Sequence, residues 1–188
     1  VGAVNPTLLW RPDDETRVTV GFEYARAHQS PDTGIPFVDT GGLASVDRKT
    51  SYQSPLDDSL QNVYRVRFDA ERKLAERFRL RNKFYYTEMS WESQGTLVSG
   101  VVPIPGAEQV ARVLTILDDR QKICGDQLEA VVSFKTGPVR HDLLGGFEFT
   151  WLRDPFTQEV AFIPPVPLLD PVDNGGYPIV PVPPLGLA

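Results

Sequence analysis

The stretches Gln61-Asn62-Val63-Tyr64-Arg65-Val66-Arg67-Phe68-Asp69-Ala70-Glu71 and Phe78-Arg79-Leu80-Arg81-Asn82-Lys83-Phe84-Tyr85-Tyr86 decide the fold. Tyr64, Val66, Phe68 and Ala70 alternate with Arg65, Arg67, Asp69 and Glu71; Phe78, Leu80, Phe84 and Tyr86 then alternate with Arg79, Arg81, Lys83 and Tyr85. Successive side chains of an extended strand point to opposite faces, so this period gives one apolar face and one charged face. The alternation holds for about ten residues, longer than the roughly five or six of a common soluble strand. It matches the roughly 9 to 11 residues that a tilted strand needs to cross a bilayer. Only Arg72 to Glu76 separates the runs, which predicts an antiparallel pair on a short turn.

The pattern recurs on both sides. Thr7 to Trp10 reads as the tail of a strand that turns at Arg11-Pro12-Asp13-Asp14-Glu15. In Thr16 to Arg26, Val18, Val20, Phe22 and Tyr24 oppose Arg17, Thr19, Gly21 and Glu23. Further on, Gln127 to Thr136 sets Leu128, Ala130, Val132 and Phe134 against Glu129, Ser133 and Lys135. Val139 to Arg153 sets Leu143, Gly145, Phe147, Phe149 and Trp151 against Asp142, Glu148 and Thr150, after a tight Gly137-Pro138 turn.

Between these pairs lie two long connections, Ala27 to Leu60 and Glu92 to Asp126. Within the second, Val110 to Leu117 is compatible with a helical turn or a strand extension. From Asp154, proline recurs too often for a central strand, because proline cannot donate to a ladder. That tail, to Pro183-Pro184-Leu185-Gly186-Leu187-Ala188, is expected to be a third long loop or a frayed end.

Short turns at one end and long loops at the other are the asymmetry of a transmembrane barrel. The expected fold is all-β: an antiparallel up-and-down meander, part of a transmembrane β-barrel with long extracellular loops. A soluble or surface-exposed β-sandwich, used for binding or adhesion without transport, is the alternative, since half-buried antiparallel strands also alternate. In a membrane, Arg65, Arg67, Arg79, Arg81 and Lys83 facing lipid would each cost roughly 2 to 4 kcal/mol near the midplane. Their sum, on the order of 10 to 20 kcal/mol, rivals the roughly 5 to 15 kcal/mol stability of a typical domain. These cations therefore face a polar lumen, and Val18, Val20, Phe22, Tyr64, Val66, Phe68, Leu128, Val132, Phe134, Phe147 and Phe149 face lipid. Trp10, Tyr24, Tyr86 and Trp151 fall near strand ends, where amphipathic rings favour the lipid–water interface. Trp91 falls on the lumen parity unless a bulge intervenes.

Composition narrows the function. The 188 residues are 41% apolar and 23% charged, with a net charge of −6 and no Lys/Arg-rich run, which argues against nucleic acid. No stretch is apolar and long enough for a membrane helix, so any crossing uses strands. No nucleophile elbow, HExxH, Walker loop or dinucleotide fingerprint occurs, so an enzyme is not expected. Cys124 stands alone and reads as an incidental thiol. His28 and His141 lack paired ligands and read as surface histidines, not metal ligands. Asp13-Asp14, Asp57-Asp58 and Asp118-Asp119 lack the alternating spacing of a calcium loop and read as solvated turn carboxylates.

Four stretches resemble the TonB-dependent siderophore receptors of Gram-negative outer membranes, most closely the catecholate type. They are Asn5-Pro6-Thr7-Leu8-Leu9-Trp10-Arg11-Pro12-Asp13 leading into Thr16 to Tyr24; Gly34-Ile35-Pro36; Tyr64-Arg65-Val66-Arg67-Phe68-Asp69 with Leu80-Arg81-Asn82; and Thr136-Gly137-Pro138-Val139-Arg140-His141-Asp142-Leu143-Leu144-Gly145-Gly146-Phe147-Glu148. They mark strands and turns of the family, not a ligand site. The resemblance implies a 22-stranded barrel closed by an N-terminal plug, importing ferric siderophores with energy from the TonB complex. About five whole strands and the end of another are expected, so residues 1–188 read as a partial barrel domain, without the plug and the remaining strands. No resident cofactor is implied, since iron would arrive as cargo. The implied partners are a ferric siderophore, outer-membrane lipid, and the TonB complex acting through the plug.

Ferric tricatecholates are anionic, so the lumen cations Arg65, Arg67, Arg79, Arg81 and Lys83 are candidate ligand contacts. Asp69 and Glu71 share their face, and pairing with wall or plug carboxylates is the competing reading. In the loops, Arg48, Lys49 and Tyr52 form the compact basic and aromatic cluster suited to an aromatic anion.

Overall fold

The computed structural model describes residues 1–39 and 41–182. Nine strands form one sheet: β1 (Gly2–Val4), β2 (Thr7–Asp13), β3 (Thr16–Gln29), β4 (Asp58–Ala75), β5 (Phe78–Val102), β6 (Gln109–Thr136), β7 (Val139–Arg153), β8 (Phe156–Pro167) and β9 (Pro181–Val182). Their order is β1-β3-β4-β5-β6-β8-β9, with β2 also on β3 and β7 also on β6. The described residues contain no helix, and none is therefore long and apolar enough to cross a membrane.

Two prolines divide what are otherwise continuous lines of chain. β1 and β2 both run antiparallel to β3 and are separated by Asn5-Pro6; β7 and β8 both run antiparallel to β6 and are separated by Asp154-Pro155. Proline has no N–H to give, so the ladder lapses there. Its carbonyl still accepts: Phe22 N–H donates to Pro6 O at 3.0 Å and Arg120 N–H to Pro155 O at 3.1 Å. The sheet is thus an open meander of six lines of chain, with the two-residue β9 beyond them.

Several boundaries differ from the sequence reading. The turn after β4 is only Glu76-Arg77, because the strand runs on through Arg72, Lys73 and Leu74 to Ala75 although the alternation ends near Glu71. The connection predicted as a loop over Glu92 to Asp126 is mostly strand: β5 runs to Val102, β6 starts at Gln109, and Val110 to Leu117 is a strand extension. The tail predicted as loop from Asp154 contains β8. Its Pro164, Pro165 and Pro167 are tolerated because β8 has β6 on one side and, on the other, β9 only at Val160 and Ala161. Residues 183–188 lie outside the described residues. The first long connection holds as a loop over its described residues, 30–39 and 41–57, with a bridge between Phe37 and Leu43. The Gly137-Pro138 turn forms as predicted, with Gly137 at φ 59°, where a Cβ would be strained.

The chain divides into two compact units. The strand unit comprises Val1–Arg26, Asn62–Ser90 and Arg120–Pro155; the loop unit comprises Ala27–Gln61, Trp91–Asp119 and the chain from Phe156. In the strand unit β3 to β7 contribute runs of 11 to 17 residues, enough to cross a bilayer. All three of its turns are short, and it contains no buried hydrophobic side chain among the described residues. Every one belongs to the loop unit. There Ala44, Tyr52, Val110, Val166 and Leu168 form one cluster, and Leu114, Ala161 and Ile163 another, closed by Leu56, Tyr177 and Ile179.

Candidate functional site

In the strand unit, strand alternation collects Arg65, Arg67, Arg79, Arg81 and Lys83 on one face, where carboxylates meet several of them. Arg65 Nη1 lies 3.0 Å from Glu23 Oε2, and its Nε donates to Thr87 Oγ1. Arg81 Nε donates to Glu71 Oε2 at 2.9 Å, and Arg79 Nη1 lies 3.7 Å from Glu71 Oε1. The guanidinium of Arg67 lies against Gly21, and Lys83 lines an open groove of about 370 Å³ with Arg17, Thr19, Asp69, Glu71 and Arg81. Neither Arg67 nor Lys83 has a salt-bridge partner among the described residues. Of the five predicted lumen cations, three are therefore engaged with wall carboxylates and two remain open. Such part-exposed pairs contribute roughly 0 to 1 kcal/mol each, so they order the face more than they stabilise it.

The opposite face is apolar and uncovered. Phe147 is 71% exposed, Phe149 59% and Leu128 44%; Val20, Phe22, Tyr64, Val66, Val132 and Phe134 are also exposed, with Val18 and Phe68 half-buried by neighbours. Cross-strand pairs tie it together, including Leu128 with Phe147, Val132 with Leu143, and Tyr24 stacked on Tyr64 at 4.8 Å. Polar residues interrupting this face satisfy one another: Asn82 Nδ2 donates to Asp126 Oδ1 at 2.8 Å, and Lys122 Nζ lies 3.0 Å from Glu88 Oε1. Alternation alone does not show these pairs, since each partner reads as an exception on its own strand.

The loop unit departs from the sequence reading at Tyr52. Its ring is fully buried and its hydroxyl donates to Leu168 O at 2.8 Å, so it is a core residue with no face for a ligand. Arg48 and Lys49 are exposed at the tip of a turn in which Lys49 N–H donates to Asp47 Oδ1 and Thr50 N–H to Asp47 O. Asp57 is likewise no solvated turn carboxylate. It is buried and accepts Thr96 N–H at 2.9 Å, Thr96 Oγ1–H at 2.7 Å and Ser54 N–H at 3.3 Å. Burial lifts its pKa above the usual carboxylate value, while those bonds and the charge of Arg112 pull the other way without cancelling it. Asp118 and Asp119 sit in β6 opposite Thr157 and Phe156, not in a turn. His28 pairs with Asp58, Trp91 donates its indole N–H to Ser59 Oγ at 2.9 Å, and, in the strand unit, His141 stacks on Phe134.

Sequence reasoning missed Arg112. Its side chain is fully buried, and all five of its N–H donors are used. Nε and Nη2 reach Pro164 O, Nη1 reaches Tyr52 O at 2.9 Å and Gln53 O at 3.4 Å, and Nη2 also reaches Asp173 Oδ2 at 2.9 Å. Asp173 further accepts Gly175 N–H and Tyr177 Oη–H, and Tyr177 Oη lies 2.7 Å from Ser54 Oγ. Burial raises the Asp173 pKa, but these bonds and the guanidinium more than offset it, leaving it below the usual value. The available signal was a cation flanked at two-residue spacing by Val110 and Leu114 in an apolar run.

Charge is unevenly divided. The strand unit carries sixteen Lys and Arg against thirteen Asp and Glu, a net of +3. The loop unit carries three cations, Arg48, Lys49 and Arg112, against twelve carboxylates, a net of −9.

No protein-family model and no curated protein sequence matches this chain. Solved structures do. The ferric-catecholate import receptor Fiu of E. coli K12, in its closed form, superposes with a TM-score of 0.77 at 19% identity, over 95% of this chain and 28% of that one. The siderophore receptor PiuA of Acinetobacter baumannii gives 0.78 at 19% identity, over 96% and 29%. FpvAI in complex with pyocin S2 gives 0.71 at 14% identity, over 85% and 22%. The sheet is therefore a segment of up-and-down β-barrel wall with its connecting loops. Its fold is that of the siderophore-receptor barrels, and the chain spans about three tenths of the length of Fiu and PiuA.

Proposed function

We propose that this chain is part of the barrel and the extracellular loops of a Gram-negative outer-membrane receptor that takes up ferric siderophores by TonB-dependent transport. One observation carries the membrane half of this reading: the strand unit exposes a broad apolar face, broken only by polar residues that pair with one another, has no second layer, and keeps Arg65, Arg67, Arg79, Arg81 and Lys83 on the other face. A soluble protein of this size would cover such a face. A bilayer covers it without a second sheet, and a closed barrel lumen hydrates the charged side. The soluble sandwich has no support, since all nine strands belong to one sheet.

The siderophore half rests on the fold shared with Fiu and PiuA and on exposed cations where an anionic ligand passes: Arg48 and Lys49 on the loop turn, Arg67 and Lys83 on the wall. Iron is cargo here, and the TonB complex would act through a plug outside this chain. The test is uptake of radiolabelled iron as its tris-catecholate complex by iron-starved cells carrying the full-length gene. Uptake that needs TonB, with the protein in the outer-membrane fraction, supports the reading. TonB-independent uptake, or a protein in the soluble fraction, overturns it.

A further inference from the structure

We infer that Arg112 is the positioning residue for the Arg48–Lys49 turn, acting as a buried latch that makes the loop around Tyr52 and the segment around Asp173 move as one body. The inference deepens the proposed function and rests on it only for the ligand. The latch itself stands on geometry. The turn that displays Arg48 and Lys49 closes at Thr50, two residues before Tyr52. Tyr52 is held at both ends: Arg112 Nη1 donates to its carbonyl, and its hydroxyl reaches Leu168 O. The same guanidinium holds Pro164 O of β8 and the Asp173 carboxylate. Tyr177 ties that segment back through Ser54, adjacent to Gln53, whose carbonyl also accepts from Arg112.

No other side chain type does this. Lysine offers three donors from one point and cannot reach carbonyls on three sides in one plane, whereas the guanidinium fork can. Apolar packing alone would leave four acceptors, the buried Tyr52 carbonyl and the part-buried Gln53 and Pro164 carbonyls and Asp173 carboxylate, short of donors. A latch with every donor used has no slack, so loosening one partner releases the others.

The experiment uses the full-length protein in detergent micelles, with Arg112→Lys and Asp173→Asn as separate variants. Hydrogen exchange is read at amides 48–53 and 173–177, and binding is read with iron(III) tris-catecholate. The expected result is that each variant speeds exchange at both segments together, by roughly ten-fold or more. Binding should weaken to the level of an Arg48→Gln, Lys49→Gln double variant. Faster exchange at 173–177 with 48–53 unchanged overturns the latch, as does loosening of both with binding intact while the double variant loses it. If the double variant binds normally, the ligand reading fails, and coupled exchange at the two segments still decides the latch.

Discussion

The ring of Tyr85 on β5 lies directly over Gly125 on the neighbouring β6, so close that a Cβ at position 125 would overlap it. Its hydroxyl reaches across to β7, 3.0 Å from Thr150 Oγ1 and 3.4 Å from Glu148 Oε1. One side chain thereby spans three strands. An aromatic ring laid over a strand glycine covers exposed backbone and pins register.

The first prediction concerns that clasp. Gly125→Val should cost about 1 to 3 kcal/mol, the usual penalty for forcing volume into an occupied site, because the ring must leave. Tyr85→Phe keeps the cover and loses only hydrogen bonds to groups that water can serve, so it should cost under about 1 kcal/mol. Urea unfolding in lipid vesicles would separate the two. Equal effects from both variants would show that the ring is not pinned on Gly125.

A second prediction sets the two faces against each other. Phe149→Arg places a cation on the apolar face and should destabilise by about 2 to 4 kcal/mol if that position lies near the bilayer midplane. Arg81→Gln on the charged face removes one part-exposed pair with Glu71 and should cost under about 1 kcal/mol. The same vesicle titration reads both. A larger loss from Arg81→Gln would mean the faces are assigned the wrong way round.

Where the sequence was legible, one periodicity dominated. Val18 to Tyr24 and Tyr64 to Phe68 keep strict alternation, Leu128 to Phe134 breaks it only at Val131, and each lies in a strand whose apolar residues gather on one face. Legibility failed where two patterns competed. Glu92 to Asp126 contains Gly95, Gly100, Pro103 and Gly106, which read as loop, yet β5 runs through the first two and β6 resumes at Gln109, three residues after the last. Tyr52 looked like a ligand group because its neighbours Arg48 and Lys49 are charged, and only long-range contacts with Leu168 and Arg112 make it core. The Asp57 and Asp173 networks join residues more than thirty positions apart to Thr96 and Arg112, beyond the reach of any local pattern.

The third prediction follows from those two carboxylates, whose pKa values move in opposite directions. Asp57 holds its proton more tightly folded than unfolded. Between the ordinary value of 3.8 and its raised folded value, the native state therefore binds more protons, and its contribution to stability falls as pH rises through that window. Asp173 is lowered, so its contribution is present above 3.8 and is lost as pH falls through its folded value. Asp57→Asn should remove the decline on the alkaline side of 3.8, and Asp173→Asn the decline on the acid side. Thermal unfolding of each variant in detergent between about pH 3 and pH 7 checks this. Identical pH profiles for the two variants would contradict it.

A fourth prediction concerns ionic strength. With a net charge of −9, the loop unit should repel the tris-catecholate anion of the proposed function at long range, even where Arg48 and Lys49 would attract it at contact. Neutralising Asp39 and Asp47 to Asn should therefore speed association of iron(III) tris-catecholate at low salt. The gain should vanish near 0.15 M, where the screening length falls to about 8 Å. Stopped-flow association rates of full-length protein across a salt series would show it, and no rate difference at low salt would exclude loop-unit repulsion.

The last prediction is that residues 1–188, expressed without detergent, do not form a stable monomer in water. The buried apolar side chains all sit in the loop unit, where Tyr52, Val110, Leu114 and Val166 are shielded. The strand unit has none, so in water Phe147, Phe149, Leu143, Leu144 and Val20 stay exposed on a sheet with open edges at β2 and β7. Exposed apolar area and unpaired backbone donors both promote association of copies. Detergent covers the face but not the edges, so micelles should reduce aggregation without making it vanish. Size-exclusion chromatography with and without detergent, followed by thermal unfolding, measures this. A sharp monomer peak in plain buffer with one cooperative transition would require a core in the strand unit that the structure lacks.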